Sequence, residues 1–427
     1  MNKNEYKSRI IDEKINKYLS IAKAILITGP KWCGKTWTSL YHSNSDVSLM
    51  DKKIFELANV DPNYILKDDY PQLIDEWQVV PEIWDAVRNK CDKDNIKGKY
   101  ILTGSTTLRD EEKEKIKHSG IGRIIPITMF PMTLYEQGIS SDNISLMDLK
   151  EGNVDNSLVK GLTVMDYANI IIRGGFPENI DTPLELINEL PKSYIEAVCN
   201  EDINKGKSYK KNPRWLHMLL ASLARNECTI TNNSKIISDI ANNSLGSDSI
   251  KNSRTLDSYM DYLDSINLLW YQDSFSTNYR SKARLGVKAK RHFVDTSLAS
   301  AALNLTPNKL LNDFNTFGFL FESLVERDLK VYMDLYGGNV MHFRDNLSGD
   351  EVDAICEFDD GEYGAIEIKL SGYGIDDAKK SLLRFYDNVL KKPCFMCIIV
   401  GEYNIIHKDS ESGIYIIPFS ALGLHKK

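Results

Sequence analysis

Gly29-Pro30-Lys31-Trp32-Cys33-Gly34-Lys35-Thr36 fits the spacing G-x-x-x-x-G-K-[ST] at every position. Residues of these types at this spacing wrap an anion. The glycines let the backbone close into a concave nest of N–H groups. A helix leaving through Trp37, Thr38 and Leu40 aims its positive end at the same place. Lys35 would reach the β- and γ-phosphates of ATP, and Thr36 would ligate Mg²⁺, with Pro30, Lys31, Trp32 and Cys33 completing the loop. The bland alternative is a chance match in a glycine-containing turn. The apolar run Ala24-Ile25-Leu26-Ile27-Thr28 in front of the turn and an acidic strand end further on weigh against it.

That strand end is Leu73-Ile74-Asp75-Glu76. An aspartate closing a buried strand can hold Mg²⁺, and the adjacent Glu76 is placed to polarise an attacking water. A third run, Lys99–Thr103, ends in Thr103-Gly104-Ser105-Thr106, where Thr103 or Ser105 would sense the γ-phosphate from between the other two strands. Arg123, in the turn Ser119-Gly120-Ile121-Gly122-Arg123, would stabilise phosphate charge in its own chain or in a neighbouring subunit. The second option leaves a homo-oligomer open. An ordinary surface arginine fits the turn equally well.

A separate set of acids lies near the C-terminus: Glu322 in a helical stretch, Asp353 in Glu351-Val352-Asp353, and Glu367-Ile368-Lys369. On a strand, residues two apart share a face, so Glu367 and Lys369 point the same way. Asp353 and Glu367 on neighbouring strands would share a divalent metal, Glu322 would complete its shell, and Lys369 would orient or help deprotonate water. Glu326, one helical turn on, is an alternative to Glu322. The order helix-Glu, strand-Asp, strand-E-x-K resembles the PD-(D/E)XK nuclease pattern; the competing reading is a fold kept without cleavage.

Several elements must position these groups. Short apolar runs alternating with helical patterns up to residue 140 predict a parallel α/β sheet. A polar stretch over 141–165 reads as a linker. Residues 166–295 read as helical, closing with helix, turn, helix and strand in the order of a winged helix. The α/β texture returns over 296–427, with a helix from Phe317, strands near Val340–Arg344, Glu351–Glu357 and Gly364–Lys369, a helix around Asp377–Val389 and a strand at Phe395–Val400. Arg280, Lys282, Arg284, Lys288, Lys290 and Arg291 form a basic stretch that would touch DNA phosphates, with Tyr279 stacking on a base, or else a solvated hairpin face.

Taken together, the N-terminal segments resemble the AAA+ superfamily. The whole chain resembles prokaryotic predicted ATPases in which such a core is fused to a C-terminal domain of unknown function. Besides the motifs above, the resemblance is carried by Pro131-Met132-Thr133-Leu134-Tyr135-Glu136, Arg173-Gly174-Gly175-Phe176-Pro177 and Phe293-Val294-Asp295-Thr296. It implies ATP binding and hydrolysis and supplies no cellular task. Many AAA+ proteins carry asparagine on the sensor strand, where this chain has Thr103 and Ser105.

Composition narrows the function classes. The 427 residues, 42% hydrophobic and 26% charged, are those of a multidomain globular protein. With 53 basic and 60 acidic side chains the net charge is −7, which fits a nucleic-acid binder only through a local basic face. No apolar run reaches membrane-span length, and no signal peptide opens the chain, so a cytoplasmic location is expected. The seven cysteines fit reduced thiols, and the lone C-x-x-C of Cys394 and Cys397 lacks a second ligand pair and reads as a buried strand. Three functions therefore stand: an ATPase acting on DNA, an ATP-dependent metal nuclease, or a nucleotide-dependent interaction switch.

Overall fold

The computed structural model describes residues 5–104, 116, 119–202, 211–243, 249–278, 280, 288–345 and 349–425. Ser105, Tyr279, Lys282 and Arg284 lie outside the described residues. The chain divides into two compact units, Met1–Pro131 with Leu263–Leu268, and Met132–Tyr262 with Leu269–Lys427.

The first unit is built on five parallel strands: β1 (Ala24–Thr28), β2 (Ser45–Ser48), β3 (Gln72–Asp75), β4 (Tyr100–Thr103) and β5 (Ile124–Thr128), in the order β2-β3-β4-β1-β5. Alternate strand residues enter opposite faces. Ala24, Ile74, Tyr100 and Leu102 pack with Trp77, Ile83 and Val87 in one core, while Ile25, Ile27, Leu73, Ile101 and Ile127 pack with Ile15 in another. Apolar residues at both parities make these strands read as continuous hydrophobic runs, and burial on both faces suits a parallel sheet. The order reverses direction at β1, and in such sheets ligands bind beyond the carboxyl ends of the strands at the reversal.

In the second unit, helices Asn233–Asn243 and Ser253–Ser265 lead to an antiparallel pair, β8 (Leu269–Gln272) and β9 (Lys290–Phe293). The long helix Phe314–Leu335 starts three residues before the predicted Phe317, because the Asp313 carboxylate accepts from the Thr316 backbone N–H at 3.1 Å and caps it there. A mixed seven-stranded sheet follows. It contains β10 (Asn339–Arg344), β11 (Glu351–Glu357), β12 (Tyr363–Ser371), β13 (Phe395–Glu402), β14 (Ile405–Lys408) and β15 (Tyr415–Pro418), with β10 at one edge and β7 (Ser157–Leu158) at the other. Cys397 is buried in β13 and Cys394 is exposed just before it.

The stretch predicted as a linker is ordered. Its β6 (Ile144–Ser145) pairs in parallel with β16 (Leu422–Gly423), and β7 pairs with β14. Between them Ser145 and Asp148 form a capping box on helix Leu146–Glu151. Two of the residues that gave it a loop composition, Ser145 and Asp148, are here a helix cap.

The remaining family segments meet around one buried cation. The Arg327 guanidinium donates to Asp295 Oδ2 at 2.7 Å and to Asp328 Oδ1 at 2.7 and 3.0 Å. The Gly175 and Leu134 backbone N–H groups donate to Asp295 and Asp328 at 2.9 and 2.8 Å. A Cβ on Gly175 would lie 2.2 Å from the Met132 carbonyl oxygen, so the close approach of these two segments requires glycine. These motifs hold the second unit together. Asp295→Ala strips the fully buried Arg327 of one partner, and we expect a loss of about 3–5 kcal/mol in urea unfolding. A loss under about 1 kcal/mol, the scale of a surface pair, would contradict this role.

Candidate functional site

The turn after β1 leaves the sheet at Gly29, which has φ 150° and where a Cβ would lie 2.3 Å from the Met129 carbonyl oxygen. Trp32 and Gly34 also take positive φ, 66° and 101°, which curls the backbone from Pro30 to Cys33 before helix Lys35–Tyr41 begins. Lys31 and the half-exposed Trp32 form the outer side of this turn, and Cys33 is fully buried beneath it. Arg9 braces the turn by donating to Cys33 O at 2.9 Å and Phe130 O at 2.8 Å. Sequence reasoning missed Arg9, since an arginine far upstream carries no motif.

Lys35 is buried and folds back over its own loop, with Nζ donating to Gly29 O at 3.0 Å and Pro30 O at 2.7 Å. Its ammonium thus stands over the nest that the motif predicts for phosphate. Because β4 lies between β1 and β3, the two polar strand ends and the loop threonine converge. Asp75 Oδ1 accepts from Thr36 Oγ1 at 3.1 Å and from Thr103 Oγ1 at 2.5 Å. Thr103 therefore orients the acid, beyond the phosphate-sensing expected of it. Glu76 has left-handed backbone (φ 55°), which costs a non-glycine residue about 1–3 kcal/mol. Its Oε2 accepts from Gln78 Nε2 at 2.5 Å. Thr36 and Asp75 offer two oxygens of the hard type Mg²⁺ prefers, on one side of a nest suited to phosphate, so the donor set fits MgATP.

Arg123 is a correction. It precedes β5, and its carbonyl accepts from the Ala24 N–H at the start of β1, while the phosphate turn follows the other end of that strand. Five residues separate the two edges, roughly 15 Å. The side chain pairs with Asp92 at 2.9 Å. It does not reach the phosphate turn of its own chain.

In the second unit, Asp353 on β11 and Glu367 and Lys369 on β12 come together. Lys369 Nζ lies 2.7 Å from Glu367 Oε2 and 3.3 Å from Asp353 Oδ2. Asp353 Oδ2 also accepts from the Ile368 N–H, and Glu367 Oε1 from Ser381 Oγ at 3.0 Å. Burial and the Asp353 charge push the Glu367 carboxyl up to about 7. Burial opposes the Lys369 charge, but Asp353 and Glu367 outweigh it and hold the ammonium above its usual range. Glu322 is held instead by Lys290 Nζ at 2.8 Å, and burial raises its carboxyl well above the usual range while Lys290 pulls the other way. Among the described residues, Glu322, Asp353 and Glu367 are not a set whose ligand atoms all lie within 4.8 Å of one another. Two lysines stand among the acids where the sequence places a shared metal.

The DNA-contact reading of the basic stretch is corrected at two positions. Lys290 is fully buried in this acidic cluster, and Arg291 donates to Thr231 O and Asn233 Oδ1. Arg280 and Lys288 are exposed. Glu326 is buried and accepts from Gln272 Nε2 at 3.0 Å, so it is structurally engaged.

Residues 22–137 match a family described as an AAA domain, residues 164–309 a domain of unknown function (DUF8612), and residues 317–422 another (DUF4143). No curated protein matches the sequence. Among solved structures, the chain is similar to the Walker-type ATPase PABY2304 of Pyrococcus abyssi, at 12% identity and TM-score 0.42 over 70% of this chain and 96% of that one. It is also similar to the Aeropyrum pernix ORC2 protein in ADPNP–ADP complexes, at 11% identity and TM-score 0.31 over 73% and 97%. Thermotoga maritima RuvB gives 14% identity and TM-score 0.27 over 62% and 90%. These likenesses are too low to carry function. The AAA-domain match, the parallel sheet and its phosphate turn together define the class: the first unit has the fold of an AAA-type P-loop ATPase.

Lys35→Ala removes the charged donor expected to bond the phosphate oxygens, worth about 3 kcal/mol, so ATP should bind roughly a hundredfold more weakly in titration calorimetry. Unchanged affinity would contradict the site.

Proposed function

We propose that this chain binds and hydrolyses MgATP in its first unit and uses the nucleotide state to act on DNA through its second. The carrying observation is the Asp75 carboxylate accepting from both Thr36 and Thr103, which joins the phosphate turn to the acidic strand end and the polar strand end. Bound Mg²⁺ would supply charge neutralisation at the β- and γ-phosphates. The chain's own groups do the rest. Lys35 exchanges its loop carbonyls for phosphate oxygens, Thr103 keeps Asp75 aimed at Thr36, and Glu76, once released by Gln78, orients and polarises the attacking water.

The DNA assignment draws on three things: the helix, helix and hairpin order of Asn233–Asn243, Ser253–Ser265 and β8–β9, which suits a winged helix; the exposed Arg280 and Lys288; and the nuclease-like arrangement of Asp353, Glu367 and Lys369. Cleavage by that arrangement is a second reading, favoured by the lysine seated between the two acids. It is tested by incubating DNA with Mg²⁺ or Mn²⁺ and comparing the wild type with Asp353→Ala. Absence of cleavage under every condition rejects it and leaves binding. Among the described residues no helix is long and apolar enough to cross a membrane. Seven cysteines read as reduced thiols support a proposed cytoplasmic location. Assembly into a homo-oligomer would give Arg123 a role in a neighbouring subunit.

Glu76→Gln should lower the ATPase kcat by about a hundredfold or more while leaving ATP affinity within a few-fold. In the same assay, added DNA should stimulate the wild type. Stimulation by no DNA, with hydrolysis intact, would favour an interaction switch without nucleic acid.

A further inference from the structure

Behind the nuclease-like acids lies a second cluster that neither reading uses. Cys228, just after helix Pro213–Arg225, His292 on β9 and Glu326 on helix Phe314–Leu335 meet Glu227 in the interior, and all four are buried. Cys228 Sγ is 3.3 Å from Glu326 Oε2 and 3.7 Å from His292 Nδ1. His292 Nδ1 is 3.4 Å from Glu227 Oε1 and 3.6 Å from Glu326 Oε2. A tetrahedral ion with bonds of about 2.0 Å to nitrogen and oxygen and about 2.3 Å to sulfur sets its ligand atoms roughly 3.3–3.5 Å apart. The observed separations run from the lower end of that range to about 0.2 Å above it, and the two contacts of His292 Nδ1 with the carboxylates are long for N–H···O hydrogen bonds.

Charge points the same way. Glu227, Glu322 and Glu326 are opposed here by one lysine, Lys290, which sits 2.8 Å from Glu322 and 3.5 Å from Glu326. A divalent cation would bring positive charge to a cluster in which acids outnumber the lysine, and acids there are costly to keep ionised without such a partner. The surroundings also suit fixed ligands. Ser323 Oγ donates to Glu227 at 2.8 Å, the Phe293 N–H donates to the same carboxylate, and Trp270 stacks on the His292 ring with centroids 4.4 Å apart.

We propose that Glu227, Cys228 and His292, whose ligand atoms lie within 4.8 Å of one another, form the core of a structural zinc site, with Glu326, which reaches Cys228 and His292, as its fourth ligand. Sulfur and imidazole donors select zinc over Mg²⁺ or Ca²⁺, and four protein ligands leave no open position for catalysis. The ion would tie the segment after helix Pro213–Arg225 to β9 and to the long helix. Its presence does not depend on ATP hydrolysis or DNA cleavage.

The test is metal analysis of the full chain prepared with zinc in the medium. The wild type should retain about one zinc per chain through gel filtration. Replacing zinc with Co²⁺ should give a thiolate-to-metal charge-transfer band. Cys228→Ser should abolish that band and Cys394→Ser should keep it. His292→Gln, which preserves side-chain volume better than truncation, should lose the zinc, whereas Asp353→Asn should retain it. Chelation should lower the wild-type melting temperature and leave that of His292→Gln unchanged. Zinc below about a tenth of an equivalent in the wild type would overturn the proposal, as would a charge-transfer band that survives Cys228→Ser. If Cys228→Ser does not fold, the His292→Gln and Asp353→Asn comparison decides alone.

Discussion

One carboxylate oxygen organises the first unit. Asp75 Oδ1 accepts from Thr36 on the phosphate turn and Thr103 on the neighbouring strand, and both bonds require β3, β4 and β1 to lie side by side in register. The parallel sheet supplies that register, with Asp75 opposite Thr103 and Thr103 opposite Ile27. Two apolar cores hold the sheet from its two faces, so alternate strand residues are committed to packing and only the strand ends remain for polar chemistry. Arg9 then fixes the turn by donating to the Cys33 and Phe130 carbonyls.

The second unit rests on buried charge used in two different ways. Around Arg327 one guanidinium faces two carboxylates, Asp295 and Asp328, and each acid also receives a backbone N–H, so every acid has donors and the network serves as a fastener. Around Lys290 acids outnumber lysines, and the surplus sits beside a thiol and an imidazole. Acids that each hold a guanidinium and a backbone donor fix one geometry, whereas buried acids beside a thiol and an imidazole ask for a further ion or proton.

How legible this was depended on the range of the interaction. The phosphate turn, β1 and β3 followed from local pattern, because Gly29, Gly34, Lys35 and Thr36 are spaced by the chain itself and continuous apolar runs mark buried parallel strands. The run Lys99–Thr103 marks strand β4 and its end at Thr103, and begins one residue before the strand's first residue, Tyr100. The position of Arg123 was not legible, because a glycine-flanked turn looks the same at either edge of a sheet. Residues 141–165 misled, since Ser145 and Asp148 cap a helix with the same side chains that mark a loop. Lys290 was hidden in a run of basic residues, and only pairing of β9 with β8 shows that it turns inward while Arg291 does not. The meeting of Cys228 with His292 spans 64 residues and two element types, and no spacing rule reports it.

The account stands most directly on Asp75 and Thr36 acting together on a magnesium-bound triphosphate. The decisive measurement is ATP affinity with and without Mg²⁺ in the wild type and in Asp75→Asn. The account predicts that Mg²⁺ tightens binding to the wild type and that this gain is largely lost in Asp75→Asn, while metal-free binding through Lys35 and the loop amides persists. An equal gain from Mg²⁺ in both proteins would contradict it.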